Sequence, residues 1–87
     1  MKFVVVFNVG HTLGRFDELQ PLVAKMRKFE GVEKVYVGLH PREIAVVIIN
    51  ADSRDAVDAL VQYAGLSPMQ VLTLEYESDA NGRLVAI

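Results

Sequence analysis

The chain has 87 residues, enough for one small domain, and we expect residues 1–87 to form it. Hydrophobic residues make up 52% of the chain, charged residues make up 23%, and the formal net charge is −2. This composition excludes a disordered tail and a polybasic nucleic-acid-binding arm, and the absence of cysteine excludes a disulfide scaffold and a thiol nucleophile.

The first half of the chain predicts a strand followed by a helix. Residues 2–9 are rich in β-branched and aromatic side chains, which favours a strand. Apolar residues from 16 to 29 recur at steps of three and four, which predicts an amphipathic helix. Asp17 is the predicted N-cap of this helix, and Gly31 stands where a left-handed glycine would end it.

The middle of the chain predicts a hairpin and a second helix. Residues 32–39 and 43–50 form the second and third predicted strands. The short turn at His40-Pro41-Arg42 makes this pair an antiparallel hairpin. Asp52 or Ser53 then caps a second helix with an apolar stripe, and Gly65 ends it.

The C-terminal part predicts a fourth strand over residues 69–77. Asn81-Gly82 is a strong signal for a two-residue turn, which allows residues 83–87 to fold back as a fifth strand. In that register Val85 faces Ser78 and Ile87 faces Tyr76.

The order of the predicted elements is β-α-β-β-α-β, with the fifth strand at the end. This is the ferredoxin-like arrangement of the α+β class. It has a four-stranded antiparallel sheet in the order 4-1-3-2, with two helices on one face. We call the face without helices the open face.

Both central strands of this sheet are apolar on their two sides, whereas a sheet with one open face normally alternates apolar and polar residues. The open face is therefore predicted to have an apolar centre formed by one set of alternate residues: Val4, Val6, Ala45, Val47 and Ile49, or their alternates.

An apolar centre of several hundred Å² approaches what a monomer tolerates on its surface. Covering it on two partners is worth on the order of 10 kcal/mol before the costs of association. We expect a homodimer in which the open faces of two copies pack together around a two-fold axis. The alternative is that a small domain is simply apolar throughout.

The element order and the two-sided central strands resemble the dimeric α+β barrel superfamily. That superfamily includes ligand-sensing domains of leucine-responsive regulators and small cofactor-free monooxygenases and isomerases. Residues 31–37, followed by Ala64-Gly65, are similar to heavy-metal-associated domains, but the first loop has no cysteine, so no metal site is predicted. The same loop is loosely similar to the phosphate loop of acylphosphatases, with Arg15 in the anion-binding role.

Polar and basic side chains lie at one end of the predicted sheet. The loop between the first strand and the first helix is there, and so is the turn after the second strand. These are the candidate ligand-binding residues: His11, Thr12, Arg15, His40 and Arg42. Their donors suit a small anionic or carboxylate ligand, without a cofactor. The alternative is that they are ordinary solvated loop residues.

Two classes of function follow. The first is a small dimerising ligand-binding or assembly module without catalysis. The second is a small cofactor-free enzyme, of the monooxygenase or isomerase kind, with a cavity near His11.

The aliphatic open face and the negative charge argue against nucleic acid as a partner. The apolar runs are too short to span a membrane, so we expect a cytoplasmic protein with no membrane partner.

Overall fold

The computed structural model describes residues 1–10 and 16–87. Strands and helices alternate along these residues as the sequence predicts. The elements are β1 (Lys2–Asn8), α1 (Phe16–Arg27), β2 (Val32–Gly38), β3 (Ile44–Asn50), α2 (Arg54–Ala64), β4 (Pro68–Leu74), β5 (Tyr76–Ser78) and β6 (Leu84–Ala86).

Four strands form one antiparallel sheet in the order β2-β3-β1-β4. Read from the opposite edge, this is the predicted order 4-1-3-2. The central strands β1 and β3 are paired over their whole length, from Lys2 opposite Asn50 to Asn8 opposite Ile44. β2 pairs with β3 and β4 pairs with β1, so these two strands form the edges of this sheet.

Both helices pack on the same face of the sheet, which we call the covered face. The core there combines side chains from α1, from α2 and from the strands: Phe3, Val5, Phe7, Val9, Leu19, Met26, Val32, Ala45, Val47, Ile49, Val57, Leu60 and Ala64. Burial of one such large side chain contributes about 1.5–3 kcal/mol. Within the described residues, neither helix is long and apolar enough to cross a membrane.

The start of α1 differs from the prediction. The helix already includes Phe16, so Asp17 lies in its first turn and is not the N-cap. An acidic side chain is still favourable there, because the first turn carries the positive end of the helix dipole. Pro21 lies inside the helix.

The sequence predicted that Gly31 ends α1, but the helix already ends at Arg27. It lies instead in a turn closed by a 3.1 Å hydrogen bond from the Val32 N–H to the Phe29 carbonyl oxygen. Its φ is 91°, and a Cβ at this position would overlap the Asn50 carbonyl oxygen. Glycine is therefore required both by its backbone conformation and by the close approach of β3.

The ends of α2 agree with the prediction. Ser53 occupies the N-cap position in an extended conformation, although its side chain makes no capping hydrogen bond. Gly65 is the C-cap, with φ 72°, and its N–H donates to the Val61 and Gln62 carbonyl oxygens at 3.1 and 3.2 Å. The left-handed glycine thus satisfies carbonyl groups that the end of the helix leaves free.

The predicted fifth strand exists, but it does not join the four-stranded sheet. The strand predicted over residues 69–77 is interrupted after Leu74, and β5 and β6 form a separate two-stranded sheet. Val85 lies opposite Glu77 and Ala86 opposite Tyr76. The predicted pairing of Val85 with Ser78 is therefore wrong, and the register differs from the predicted one by one residue.

The turn of this C-terminal hairpin explains the shift. Its connection is organised by Asp79, whose Oδ1 accepts hydrogen bonds from the N–H groups of Asn81 (2.8 Å) and Arg83 (2.9 Å). The Asp79 N–H also donates to the Arg83 carbonyl oxygen at 2.8 Å, and Gly82 has a φ of 81°. The result is a three-residue loop with a left-handed glycine, a longer connection than the two-residue turn that Asn81-Gly82 suggested.

Both edge strands of the four-stranded sheet contain an irregularity. In β2 the register against β3 shifts between Val32 and Lys34, so Glu33 is an inserted residue. The Glu33 carboxylate lies 3.3 Å from the Lys2 ammonium group. At the other edge, β4 begins with Pro68, next to a second register shift.

We expect Gly31→Ala to lower the free energy of unfolding by about 2 kcal/mol or more, because it combines an unfavourable φ with an overlap with backbone. Gly65→Ala is the matched control, since Gly65 also has a left-handed φ but no atom near its missing Cβ. It should cost only about 1 kcal/mol. Urea unfolding measures both, and equal losses would contradict the role of the close approach.

Candidate functional site

The open face is defined by the ladder between the central strands. Val4 lies opposite Ile48, and Val6 lies opposite Val46. Residues opposite each other in an antiparallel ladder project on the same side of the sheet, so these four share a face. All four remain partly exposed and lie outside the buried core. The centre of the open face is therefore aliphatic.

The predicted set of interface residues mixed the two faces of the sheet. Val4 and Val6 do lie on the open face, but Ala45, Val47 and Ile49 are fully buried on the covered face. The prediction that these three lie on the open face is wrong. Because β3 is apolar on both sides, the sequence pattern did not indicate which alternate set would meet the helices.

The apolar surface continues onto both edge strands. Tyr36 of β2 lies opposite Val46 and is 57% exposed, and Leu72 of β4 lies opposite Val4 and is 45% exposed. We define the open-face patch as the apolar residues of this side: Val4, Val6, Tyr36, Ile44, Val46, Ile48, Leu72 and Leu74.

Polar side chains surround the open-face patch, and they are Lys2, Asn8, Lys34, Asn50 and Gln70. Thr73 lies opposite Phe3 and therefore belongs to the covered face. An apolar centre within a polar border is the anatomy of protein–protein interfaces.

A groove of about 590 Å³ lies where β1 ends and β3 begins. Two of the predicted ligand-binding residues, His40 and Arg42, line it, and both are exposed. His11, Thr12 and Arg15 lie outside the described residues, as does the cavity predicted near His11. The described part of the candidate site thus offers a guanidinium group and an imidazole on one groove.

The backbone of this groove is held by local hydrogen bonds. The Val9 N–H donates to the Glu43 carbonyl oxygen at 3.0 Å, and the Asn8 side-chain oxygen accepts from the Gly10 N–H at 3.0 Å. A Cβ at Gly10 would lie only 2.7 Å from Oε2 of Glu43. Gly10 therefore lets the Glu43 carboxylate lie against the end of β1, where it forms one wall of the groove.

The Glu43 carboxylate lines the same groove as the His40 imidazole. Among residues 1–10 and 16–87, no three acidic or histidine side chains come close enough to hold a metal ion. The groove chemistry in the described residues is therefore that of one guanidinium, one imidazole and one carboxylate.

A second hollow, of about 700 Å³, lies at the opposite end of the sheet beside the start of α2. Small residues line much of it, including Gly31, Ala51, Ala56 and Ala59. Sequence reasoning treated this region only as a helix start. The signal that it missed is the run of small side chains on α2 facing a required glycine.

A comparison of the chain with models of known families, with characterised proteins and with solved structures found no match.

The assignment of faces predicts opposite outcomes for two neighbouring substitutions in β3. Val46→Asp places a charge on the open face, so the chain should stay folded. Val47→Asp buries the same charge in the core and should cost more than about 4 kcal/mol, enough to unfold a small domain. Circular dichroism with thermal unfolding measures both, and an unfolded Val46→Asp beside a folded Val47→Asp would reverse the assignment.

Proposed function

We propose that this protein is a small assembly and ligand-binding module in which two copies pair through their open faces. The observation that carries the proposal is the open-face patch, which runs across all four strands and ends in a polar border. The order of strands and helices supports a ferredoxin-like fold. Together with the patch it supports a place among the dimeric α+β barrels.

A second copy of the chain is the partner that fits the open face best. The centre of the patch is aliphatic, because Val4, Val6, Val46 and Ile48 offer neither the stacking rings nor the positive charges that nucleic acids require. A surface that is apolar in its middle and polar around it can be self-complementary around a two-fold axis. If this patch stayed exposed in a monomer, its area would approach that of the largest apolar patches that monomers carry.

In this proposal, the groove where β1 ends and β3 begins binds a small anionic or carboxylate ligand. Arg42 is exposed there, and a guanidinium group can donate two parallel hydrogen bonds to a carboxylate. His40 can add a further donor. The Glu43 carboxylate on the groove wall limits the negative charge that the site accepts, which favours a singly charged ligand.

We expect sedimentation of the wild-type chain at micromolar concentration to show a dimer. Val46→Asp should be a monomer, with a dissociation constant raised at least about a hundredfold, because assembly would bury two unpaired carboxylates. Gln20→Asp is the control, since it adds the same charge to the exposed side of α1.

A wild-type chain that stays monomeric at the highest concentration would contradict the proposal. A dimer that survives Val46→Asp but not Gln20→Asp would contradict the assignment of the interface to the open face.

Acetate is a suitable probe for the ligand site. In an NMR titration, the Arg42 side-chain and His40 ring signals should shift with a dissociation constant on the order of 100 mM, because one exposed charge-assisted contact contributes only about 1 kcal/mol. Arg42→Gln should abolish the shifts, whereas Arg54→Gln, at the opposite end of the sheet, should leave them unchanged. Shifts that survive Arg42→Gln would place the ligand elsewhere.

A further inference from the structure

The turn of the C-terminal hairpin contains the pair Asn81-Gly82, and both residues are exposed. The two strands that flank this turn, β5 and β6, pair only with each other. An isolated two-stranded hairpin is at best marginally stable in water, so its turn opens more easily than the four-stranded sheet. The pair therefore lies in a segment that can open locally while the core stays folded.

An asparagine that is followed by glycine can react with its own backbone. The backbone nitrogen of the glycine loses its proton and attacks Cγ of the asparagine side chain, so a new C–N bond forms, and the amide group leaves with that proton as ammonia. Water then opens the resulting five-membered succinimide ring at either of its two carbonyl groups, which gives aspartate or isoaspartate. Glycine favours the attack because it has no Cβ beside the attacking nitrogen.

The surroundings of Asn81 leave room for this attack. Asn81 takes part in the hydrogen bonds of the turn through its backbone N–H. Its side-chain amide makes no hydrogen bond within residues 1–10 and 16–87. Gly82 has a φ of 81°, and a Cβ there would meet no atom beyond its chain neighbours within 4 Å. The space beside the Gly82 nitrogen is therefore open to the Asn81 side chain.

Asp79 opposes the reaction by holding the turn closed. The Gly82 N–H, which must lose its proton before the attack, donates to the Asp79 carbonyl oxygen at 3.1 Å. The Asp79 side chain fixes the same turn, because its Oδ1 accepts from the N–H groups of Asn81 and Arg83. The attack therefore requires the turn to open first, and Asp79 determines how often it opens.

The other two asparagines of the chain, Asn8 and Asn50, are held differently. Each is the last residue of a central strand of the four-stranded sheet. The residues that follow them are Val9 and Ala51, whose N–H groups donate to backbone carbonyl oxygens of the facing segment at 3.0 and 2.8 Å. Both of these residues also carry a Cβ. The attacking nitrogens are therefore engaged at the ends of the central ladder, and neither asparagine should react.

We infer that Asn81 is a site of spontaneous deamidation and that Asp79 sets the rate by holding the turn closed. The site is independent of the proposed dimer and of the ligand groove. Aspartate at this position adds a negative charge near that of Asp79, and isoaspartate adds a methylene group to the backbone of a turn whose hydrogen bonds require a fixed length. Either product loosens β5 and β6 and leaves the four-stranded sheet intact.

Incubation of the folded chain at physiological pH and temperature tests the site. Peptide mapping by mass spectrometry should show the gain in mass from replacement of –NH₂ by –OH at Asn81, and not at Asn8 or Asn50. The same chain unfolded in urea gives the unprotected rate, and the folded chain should react at least about threefold more slowly. Asn81→Gln should remove the gain, because the longer side chain would have to close a less favourable six-membered ring. If Asn81 stays intact in the folded chain for as long as Asn8 and Asn50 do, the site is wrong.

Asp79→Ala tests the role of the turn. It removes both side-chain hydrogen bonds and should raise the rate in the folded chain at least about threefold, toward the rate of the unfolded chain. The wild type and Asp79→Ala should react equally in urea, which separates the turn from a direct effect of the carboxylate. Asp58→Ala is the matched control, because it removes an exposed carboxylate from α2 and should leave the rate unchanged. Equal rates for folded wild type and Asp79→Ala, or equal acceleration by Asp58→Ala, would overturn the role of Asp79.

Discussion

The antiparallel ladder between β1 and β3 determines the role of almost every side chain in the sheet. In the observed register Val5 and Val47 meet in the core, and Val4 and Ile48 meet on the open face. A slip of one residue would exchange the two sets. Hydrophobicity hardly distinguishes these registers, because both sets are apolar. Backbone contacts at the ends of the ladder distinguish the two registers. One of them is the 2.8 Å hydrogen bond that the Asn50 N–H donates to the Gly31 carbonyl oxygen.

This ladder also links the two parts of the proposed function. β3 follows directly on the groove that contains His40 and Arg42, and its alternate residues then cross the open face. The proposed ligand site lies in the loop at one end of the strand, whereas the proposed assembly surface lies along the strand. Such a division is typical of folds in which a rigid sheet positions the loops that bind ligands.

The sequence was sufficient for the order of the elements, for the order of the strands and for both ends of α2, because glycine, serine and apolar periodicity act locally there. The sequence was insufficient where a contact that the local pattern does not reveal determines the structure. Asp79 lengthens the hairpin turn through its side chain, which Asn81-Gly82 alone does not reveal. The faces of β3 could not be separated either, because Ala45 and Val46 both suit a core.

The irregular edges of the sheet have a consequence for how copies of this chain can meet. A flat, unpaired edge strand is a template for uncontrolled strand addition, which leads to fibrous aggregates. Here the inserted residue Glu33 and the neighbouring Lys34 disrupt one edge, and Pro68 removes a backbone donor from the start of the other. Growth by edge-to-edge addition is therefore discouraged, so the proposed pairing through the open face does not compete with open-ended growth.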